Sequence, residues 1–433
     1  MIPKQAVDQA AYRNGYSTDD HTFVITQLIE KSKEFNIPLW LVLIDYSKAF
    51  DSVDHTKLWV VLRDEGVSEE YIVLLQRLYS RQTSYVRTDV SSIAFPINRG
   101  VRQGDPISAL LFIAVMEHIF ARLKTIWRKA NMRRTKHFFG IRLSDQCDTL
   151  SNLRFADDCV LVAQSKTDAK KMLERFIIIS EEYGLSVHAD KTKLVTWDRL
   201  SKGICSISVQ ERIFAILSET DSEKYLGRKL SFSNCHAVEL CSRIAAGWSK
   251  FHAMKTELIG SSYHVSCRIR YFDATITATV LYGCCTWALT RAMIRELDVA
   301  RRKMLRYVLR IFRRRSKQTT DVVYEEEWAD YLKRAARTIE KYDDAYGLET
   351  WSHTFKRRKW NFAGRLARAN DQRWSHLILD WVPDGANRSV GRPLTRWEDD
   401  LVSYAGGNWM SLAEEEELWC AHSNGFVNAL SVF

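Results

Sequence analysis

The chain has 433 residues, of which 46% are apolar and 27% are charged, and it contains only six prolines. This length allows two or three domains with a large buried core, and the composition excludes long disordered tails. The net charge of +10 favours a polyanionic partner without identifying one.

The sequence carries no sign of a membrane span or of secretion. Its longest apolar runs, at residues 38–44 and 109–116, are far shorter than the ~18 residues that a transmembrane helix needs. The N-terminus has no basic region followed by an apolar one, which excludes a signal peptide. Nine scattered cysteines argue against a disulfide framework. We therefore expect an intracellular protein, in the cytoplasm or nucleus, without a membrane partner.

Hydrophobic periodicity and turn residues predict alternating helices and strands over the first half of the chain. In chain order, the predicted elements are helix 19–36, strand 39–44, helix 54–80 with a break near Gly66, hairpin 83–97, helix 108–131, hairpin 150–163, helix 166–183, two strands within 185–197, and a hairpin around 212–232. This order predicts an α+β fold, an antiparallel sheet with helices packed on one face. From about residue 237 the pattern becomes helical.

Three aspartates carry the chemical argument. Asp45 follows a buried strand, and Asp157 and Asp158 lie between apolar flanks typical of a hairpin with a tight turn. Carboxylates crowded at strand ends repel one another unless cations bind, and hard oxygen ligands suit Mg²⁺. Such a cluster is what phosphoryl transfer by two metal ions requires. The alternative is that Asp45 is a turn residue and that Asp157 and Asp158 belong to a solvated loop. The apolar flanks of both sites argue against this alternative.

Five short motifs stand in order in the first half of the chain. They are LIDYSKAFDSVDH at 43–55, RGVRQGDPISALLF at 99–112, FADD at 155–158, GLSVHADKTK at 184–193 and YLG at 225–227, preceded by YRNGYST at 12–18. From residue 9 to 232 the chain thus resembles the palm of reverse transcriptases, most closely those of non-LTR retrotransposons. A lone FADD is a weak signal, whereas five ordered motifs are specific.

The resemblance implies a metal-dependent polymerase centre. Asp45 and Asp157 would be the main ligands of two Mg²⁺ ions, with Mn²⁺ as an alternative, and Asp158 would lie beside them. Lys191 matches the lysine that in this family approaches the leaving pyrophosphate, where an ammonium neutralises charge or donates a proton. Taken by itself, Lys191 is more typical of a solvated strand residue.

The resemblance also implies a nucleotide pocket. Phe50 would be a steric gate whose ring excludes a ribose 2′-OH; the alternative is an ordinary core aromatic. Gln103 and Gly104 would line the pocket for nucleotide and template, with the glycine permitting close backbone approach; the alternative is an ordinary helix entry. Arg13, at the end of a fingers region, would help to bind the triphosphate. The motif that matches the primer grip consists of Tyr225, Leu226 and Gly227.

Residues 291–317 form a strongly basic stretch. They contain eleven Lys or Arg residues against two acidic ones, and apolar residues recur at helical spacing, which predicts a helix with one buried stripe and a basic face. As a thumb, this helix would follow the phosphates of an RNA–DNA hybrid in a salt-dependent manner. The alternative is a solvated face of snorkelling side chains. The residues that we expect to contact the backbone are Arg301, Arg302, Lys303, Arg306 and Arg310.

These patterns predict four regions, which are a residual fingers segment at 1–36, a palm at 37–235, a helical basic thumb-like region at 236–320 and a Trp-rich helical region at 321–433. The last region contains WNFAGRLAR at 360–368 and GRPLTRWEDDL at 391–401. It resembles the segment after the polymerase in some non-LTR elements, and we expect the RTE type. No chemistry follows from this resemblance.

The predicted function is that of an RNA-directed DNA polymerase acting on an RNA template, a DNA primer and dNTPs. Because the fingers are incomplete and an endonuclease is missing, the alternative is a truncated, catalytically idle nucleic-acid-binding protein of retrotransposon origin. An RNA-dependent RNA polymerase would share the palm, but Phe50 fits that activity poorly. The sequence does not indicate an oligomeric state.

Overall fold

The computed structural model describes residues 5–87, 93–134, 138–144, 148–198, 203–318, 321–369, 372–383, 385, 388 and 395–429. The chain divides into two compact units by its internal contacts. The first consists of Met1–Gly227, Ser231–Ser233 and Asn370–Arg392, and the second of Arg228–Leu230, Asn234–Ala369 and Pro393–Phe433. This division follows packing alone, so the four regions predicted by role stay predictions.

The elements of the first 227 residues are close to those predicted. Helices α1 to α6 span Thr18–Glu34, Ala49–Ser52, His55–Asp64, Glu69–Ser80, Pro106–Asn131 and Lys166–Glu181. Strands β1 to β9 span Leu39–Ile44, Thr83–Ser84, Phe95–Pro96, Asn152–Phe155, Asp158–Ala163, Lys193–Trp197, Ser206–Val209, Arg212–Leu217 and Glu223–Tyr225. The tip of the hairpin predicted over 83–97, residues 88–92, lies outside the described residues.

Six of these strands form one sheet in the order β4-β5-β1-β6-β8-β7. Strand β1 lies in its interior and pairs antiparallel with both β5 and β6. The predicted α+β class is confirmed, but the sheet is mixed rather than purely antiparallel, because β6 and β8 run parallel. The sheet places the ends of β1 and β5 side by side, which positions the candidate site.

Helices cover both faces of this sheet, whereas one face was predicted. Every residue of β1 is buried. Trp40, Val42 and Ile44 share a core cluster with apolar residues of α5 and α6. Side chains alternate along a strand, so Leu39 and Leu41 point to the opposite face, where α1 contacts the sheet. The all-apolar sequence of β1 reflects burial on both sides.

Two strand predictions near the end of this unit were right only in part. Only Lys193–Trp197 forms a regular strand within 185–197, and Val187 contributes an isolated bridge to Tyr46. Within the hairpin predicted around 212–232, Glu223–Tyr225 and Arg228–Leu230 form a two-stranded sheet, but strand β8 pairs with the preceding strand β7 and not with a following one. The reason is the two-residue turn at Gln210 and Glu211, both in the left-handed region, which folds the chain back on itself at once.

The remainder of the chain is mainly helical. Helices α7 to α17 span Cys235–Ala253, Lys255–Ile259, Val265–Phe272, Ala278–Val280, Arg291–Val308, Trp328–Tyr346, Trp351–Ala367, Trp374–Asp380, Asp399–Ala405, Trp409–Glu414 and Glu416–Asn428. Strands β10 to β12 span Arg228–Leu230, Arg315–Gln318 and Asp321–Glu325. The predicted basic helix therefore ends at Val308, and part of its last third is strand. Residues 391–394 of the GRPLTRWEDDL motif lie outside the described residues.

Helix α14 belongs to the first unit, where it packs on α1. Its Trp374 Nε1 donates to Asp8 Oδ1 (2.9 Å), and Ser375 Oγ donates to Asp20 Oδ1 (3.1 Å). The carbonyl of Leu379 accepts from Lys31 Nζ at 2.7 Å. The bonds to Asp20 and Lys31 satisfy buried polar groups of α1, which explains how a helix with so many polar residues lies inside the unit.

Most tryptophans of the second unit serve packing. Trp360 and Trp419 stack with ring centroids 3.6 Å apart, and each indole N–H donates to the backbone carbonyl of the other residue. Trp351 donates to Thr277 Oγ1 at 2.8 Å. Fully buried indoles with satisfied N–H groups contribute large apolar surface without an unpaired donor. The core thus accounts for most of the tryptophans of this unit, with Trp328 as an exposed exception.

Among the described residues, α5 is long and apolar enough to cross a membrane, with a mean hydropathy of 1.6 in its most apolar window. Of that window, 61% is buried inside the protein. Phe112, Met116 and Phe120 of this helix belong to the core cluster that covers the sheet. A core helix of this kind passes the same test of length and composition.

Candidate active site

Asp45 is fixed in place at the end of β1. Its backbone N–H donates to Thr192 Oγ1 (3.2 Å), and its carbonyl accepts from the N–H of His188 (2.9 Å). Its carboxylate is 44% exposed and lies 3.8 Å from Lys191 Nζ, which is itself 63% exposed. The backbone of Asp45 is therefore held rigidly, while its carboxylate faces solvent beside a cation.

Asp157 and Asp158 lie at a tight hairpin turn, as predicted. Phe155 pairs with Asp158, so the turn consists of two residues, and Ala156 at its first position has a φ of 56°. Left-handed backbone at that position matches the right-handed twist of the flanking strands. In a regular strand, adjacent side chains point to opposite faces of the sheet. The turn interrupts this alternation, so the carboxylates of Asp157 and Asp158 can lie close together.

The strand register brings the first aspartate to the other two. Ile44 of β1 pairs with Cys159 of β5 in antiparallel fashion. Continuing that register by one residue places Asp45 opposite Asp158, and directly opposed Cα atoms in such pairs lie about 4.5–5.5 Å apart. Residues more than a hundred positions apart in sequence thus meet at one edge of the sheet.

The electrostatics of the cluster agree with this placement. Partial burial, followed by the charges of Asp157 and Asp45, raises the pKa of Asp158 to about 6. Burial also raises the pKa of Asp157, and the charge of Asp45 adds to the effect. The charge of Asp45 therefore makes ionisation of both Asp157 and Asp158 harder, which is the condition under which a cation binds.

The cluster does not form a closed metal cage. Among the described residues, no three His, Cys, Asp or Glu side chains converge closely enough to hold a metal ion by themselves. The donor set nevertheless fits Mg²⁺, because carboxylate oxygens are hard ligands and Mg²⁺ completes its octahedron with water and substrate phosphates.

Phe50 packs against the core and also borders solvent. Its ring stacks on Phe112 at 4.5 Å with an interplanar angle of 19°, and its carbonyl accepts from the N–H of Val101 at 2.7 Å. The ring is half-buried. This arrangement is compatible with both readings of Phe50, a core aromatic and a rigid wall of a nucleotide pocket, so the gate stays a prediction.

The predicted template and nucleotide loop docks on α2. A Cβ on Gly100 would lie 2.7 Å from the backbone of Asp51, so only glycine allows this approach. Gln103 Nε2 donates to Asp51 Oδ1 at 3.2 Å. Gly104 has a φ of +89° with open space around it, so its glycine is needed for the backbone conformation and leaves room for a ligand. Asp51 was not singled out from the sequence.

The loop ends in a capped helix, as the sequence indicated. Asp105 Oδ1 accepts from the N–H of Ile107 (3.1 Å), and Pro106 occupies the first turn of α5. Both features are typical of a helix start. They fix where the loop ends and the helix begins.

The segment predicted to be the primer grip lies beside the carboxylates. Tyr225 is buried, and burial together with the charge of Asp158 raises the pKa of its hydroxyl. Its hydroxyl is a buried atom without a hydrogen-bond partner among the described residues. Leu226 and Gly227 both have positive φ, which makes a tight turn after the tyrosine. Their contact with a primer stays a prediction.

Arg13 is engaged at a different place. Its Nη1 donates to the carbonyl of Ala6 (2.9 Å), and its guanidinium lies 4.1 Å from the centre of the Tyr16 ring. The guanidinium of Arg373 lies over the same ring at 4.3 Å. Within the described residues these contacts do not join Arg13 to the carboxylates, and triphosphate binding by Arg13 stays a prediction.

The structure adds Gln9, which sequence reasoning missed. Gln9 Oε1 accepts from the N–H of Ala156 at the hairpin turn (3.2 Å) and from the N–H of Ala11 (2.9 Å). Gln9 is fully buried. It therefore ties the segment before α1 to the turn that carries Asp157, and no periodic pattern marked it in the sequence.

A buried charge network supports the same hairpin. Arg154, which is fully buried in β4, donates to Glu117 Oε2 at 3.2 Å and to the carbonyl of Met116 at 3.3 Å. Asp8 lies 3.6 Å from the same guanidinium and also pairs with Lys124. An arginine within an apolar strand was a visible signal, because such a residue is rarely buried unless it is paired.

The basic stretch belongs to the second unit, and one of its predicted contacts was wrong. Arg301 is 3% exposed, and its two terminal nitrogens donate to the two carboxylate oxygens of Asp343 at 2.8 and 2.7 Å. A bidentate internal pair leaves Arg301 unable to reach a phosphate. Arg302 and Lys303 are exposed on α11, and Arg306 is half-buried. Arg310 is exposed, with its Nε donating to the carbonyl of Ile259 (3.0 Å).

Comparison with known proteins places this site in a family. The profile of the family described as reverse transcriptase (RNA-dependent DNA polymerase) matches residues 2–230. A putative uncharacterized transposon-derived protein of Caenorhabditis elegans is 27% identical over 281 residues, which cover 63% of this chain and 94% of that protein. The Pol polyprotein of the R2DM retrotransposable element of Drosophila melanogaster is 26% identical over 264 residues, 57% of this chain but only 24% of the polyprotein.

The similarity to solved structures is weaker. Apo telomerase from Candida tropicalis is 12% identical, with a TM-score of 0.39, over 86% of this chain and 57% of that one. The family match, by contrast, covers more than half of the chain and includes all five motifs. The chain therefore belongs to the reverse transcriptase family, the RNA-dependent DNA polymerases, and its similarity to retrotransposon Pol proteins is consistent with the non-LTR type.

Proposed function

We propose that this chain itself extends a DNA primer on an RNA template, using dNTPs and two Mg²⁺ ions held by Asp45, Asp157 and Asp158. The observation that carries the proposal is the register Ile44 with Cys159, which brings the three carboxylates to one sheet edge. The effect of the Asp45 charge on the pKa values of Asp157 and Asp158 supports the same arrangement. The R2DM polyprotein is much longer than this chain, so its whole activity is not transferred.

The metal ions would supply the chemistry that side chains lack. When bound, they would lower the pKa of the primer 3′-hydroxyl and stabilise the leaving phosphate oxygens. Asp45 and Asp157 would hold the ions, and Asp158 would keep the site negative. Lys191, close to Asp45, would neutralise charge on the pyrophosphate or give it a proton.

The surrounding residues would orient the substrates. The loop that carries Gln103 and Gly104 is docked on α2, and Phe50 lies directly before Asp51 in that helix. Phe50 would therefore border the sugar of a nucleotide that Gln103 contacts. Tyr225, buried beside Asp158, would hold the turn that supports the primer end.

Primer extension on poly(rA)/oligo(dT) with Mg²⁺ tests the proposal. We expect dTTP incorporation by the wild-type chain and a loss of at least about 100-fold in Asp157→Asn, the scale seen when one group that stabilises transition-state charge is removed. Asp64→Asn is the matched control, because Asp64 is an exposed aspartate at the end of α3. Incorporation that persists in Asp157→Asn would contradict the assignment.

The same assay separates the alternative function. A catalytically idle nucleic-acid-binding protein would bind the hybrid but not extend it, with or without Asp157. The family match and the complete set of carboxylates do not favour that alternative. We also propose an intracellular location, in the cytoplasm or nucleus, which imaging of the fluorescently tagged chain would test; export to the medium would contradict it.

A further inference from the structure

A cleft in the second unit combines positive charge with exposed apolar surface. It has a volume of about 520 Å³ and lies between α11 and α12. Arg302, Lys303, Arg306 and Lys333 line it, and no acidic side chain is among the described residues that line it. The other lining residues are apolar, so the cleft offers cations around a surface that water solvates poorly.

Trp328, the first residue of α12, is the most prominent apolar group of this cleft. It is 56% exposed, although most other tryptophans of this unit are buried. Its ring lies 5.3 Å from that of Tyr331, which is buried and donates from its hydroxyl to the carbonyl of Ile311 (3.2 Å). The exposed indole therefore rests on a rigid base, so little conformational entropy is lost when a ligand stacks on it.

The cations around Trp328 are available to a ligand. Arg302 and Lys303 are exposed, and no ion pair involves them within the described part of the chain. Arg306 lies over the Tyr331 ring at 5.6 Å, a contact that leaves its donors usable. Lys333 is 72% exposed and has only a long surface contact of 3.9 Å to Asp330, the kind of pair that contributes little.

We propose that this cleft binds an unpaired nucleic-acid strand, with a base stacked on Trp328 and phosphates on Arg302, Lys303, Arg306 and Lys333. A single strand offers both flat apolar faces and regularly spaced negative charges, which is what the cleft complements. A duplex keeps its bases stacked internally, so it would leave Trp328 without a partner. The proposal concerns binding only and does not depend on the polymerase activity.

The proposal predicts a stacking contribution at one residue. Affinity for fluorescein-labelled oligo(rU), measured by anisotropy in EDTA without dNTPs, should fall about 5- to 150-fold in Trp328→Ala, the range for one base–aromatic stack. Trp328→Phe should restore most of the affinity. Tyr263→Ala is the matched control, because Tyr263 is a 50% exposed aromatic of the same unit outside the cleft. Circular dichroism should show unchanged melting in all three variants.

The phosphate contacts make a separate prediction. Arg302→Ala and Lys303→Ala should each weaken binding and reduce the slope of log K against log salt by about 0.7, the value for one phosphate of a single strand. A 4-thiouridine-substituted oligo(rU) should crosslink to the peptide that contains Trp328.

Three results would overturn the proposal. The first is wild-type affinity for oligo(rU) in Trp328→Ala, and the second is crosslinks that lie only outside α11 and α12. The third is preferred binding of an acidic amphipathic peptide that competes with the oligonucleotide through Trp328, which would make the cleft a protein-docking site. Because all measurements are made in EDTA, an inactive polymerase would not alter any of them.

Discussion

Replacement of Asp158 by asparagine measures how strongly the three carboxylates repel one another without metal. In the folded chain the pKa of Asp158 is raised from 3.8 to about 6, first by burial and then by Asp157 and Asp45. The folded state therefore holds this proton more tightly than the unfolded state. Tighter binding of this proton in the folded state adds to the free energy of unfolding. This contribution is fully present below pH 3.8 and is lost as the pH rises through about 6.

The size of the effect follows from the pKa shift. A change from 3.8 to about 6 corresponds to at most about 3 kcal/mol at pH 7. Asp158 is exposed enough for solvent to screen its charge, so we expect about 1 kcal/mol. Asparagine has nearly the same shape without the charge. In EDTA at pH 7, Asp158→Asn should therefore raise the melting temperature of the first unit by about 2–4 °C.

Scanning calorimetry at two pH values and two metal conditions is the assay. Near pH 3.5 the difference between the wild type and Asp158→Asn should vanish, because the wild-type carboxyl is then protonated when folded. Mg²⁺ at the same concentration should stabilise the wild type more than the variant, since a ligand that binds the folded state more tightly raises its stability by a larger RT ln(1 + [L]/Kd). Asp64→Asn should match the wild type under every condition.

Two results would refute the reasoning. If Asp158→Asn were less stable than the wild type in EDTA at pH 7, Asp158 would be making favourable contacts instead of repelling its neighbours. If Mg²⁺ stabilised both proteins equally, Asp158 would not contribute to an ion site. Either result would remove the electrostatic support for a cation at this edge of the sheet, while leaving the strand register untouched.

Three further substitutions test separate parts of the structure. Phe50→Ala should raise ribonucleotide relative to deoxynucleotide incorporation by about 10- to 100-fold, and an unchanged ratio in an active enzyme would identify Phe50 as a core residue only. Gln9→Ala should lower kcat of primer extension by about 10- to 100-fold with little change in KM for dTTP, because it frees the hairpin turn; equal changes in both constants would contradict this. Gly364→Ala should destabilise the second unit by about 1–3 kcal/mol in thermal melts, since the added Cβ would lie 2.5 Å from Trp419 Nε1. Gly407→Ala is the control and should leave the melting temperature unchanged, because a Cβ at Gly407 would meet open space.

The catalytic strands could be predicted because their signals are local. The run at 39–44 is entirely apolar and too short for a buried helix, and the hairpin at 150–163 has apolar flanks on both sides of its acidic pair. Both patterns arise because these residues are buried, and the apolar character that burial requires is visible at each residue by itself. The placement of Asp45 next to Asp158 then followed from the order of the motifs, not from periodicity.

Other parts of the site depended on contacts that no local pattern records. Gln9 acts through one side-chain oxygen that reaches a turn far along the chain, and a single buried glutamine has no periodicity. The role of Asp51 could not be recognised for a different reason. It lies in a short exposed helix, where an aspartate is a common residue. The pairing of β8 with β7 depended on two left-handed turn residues, Gln210 and Glu211, neither of which is a glycine.

The error at Arg301, by contrast, was avoidable. Residues four apart lie on the same face of a helix, and Leu297 and Leu305, four positions before and after Arg301, are both buried. The arginine therefore lies within the apolar stripe, and its burial requires an internal acid, which Asp343 supplies. Arg302 is rotated by about 100° from it and is exposed. A count of basic residues over a segment therefore overestimates the number available to bind phosphates whenever one of them lies within the buried apolar stripe.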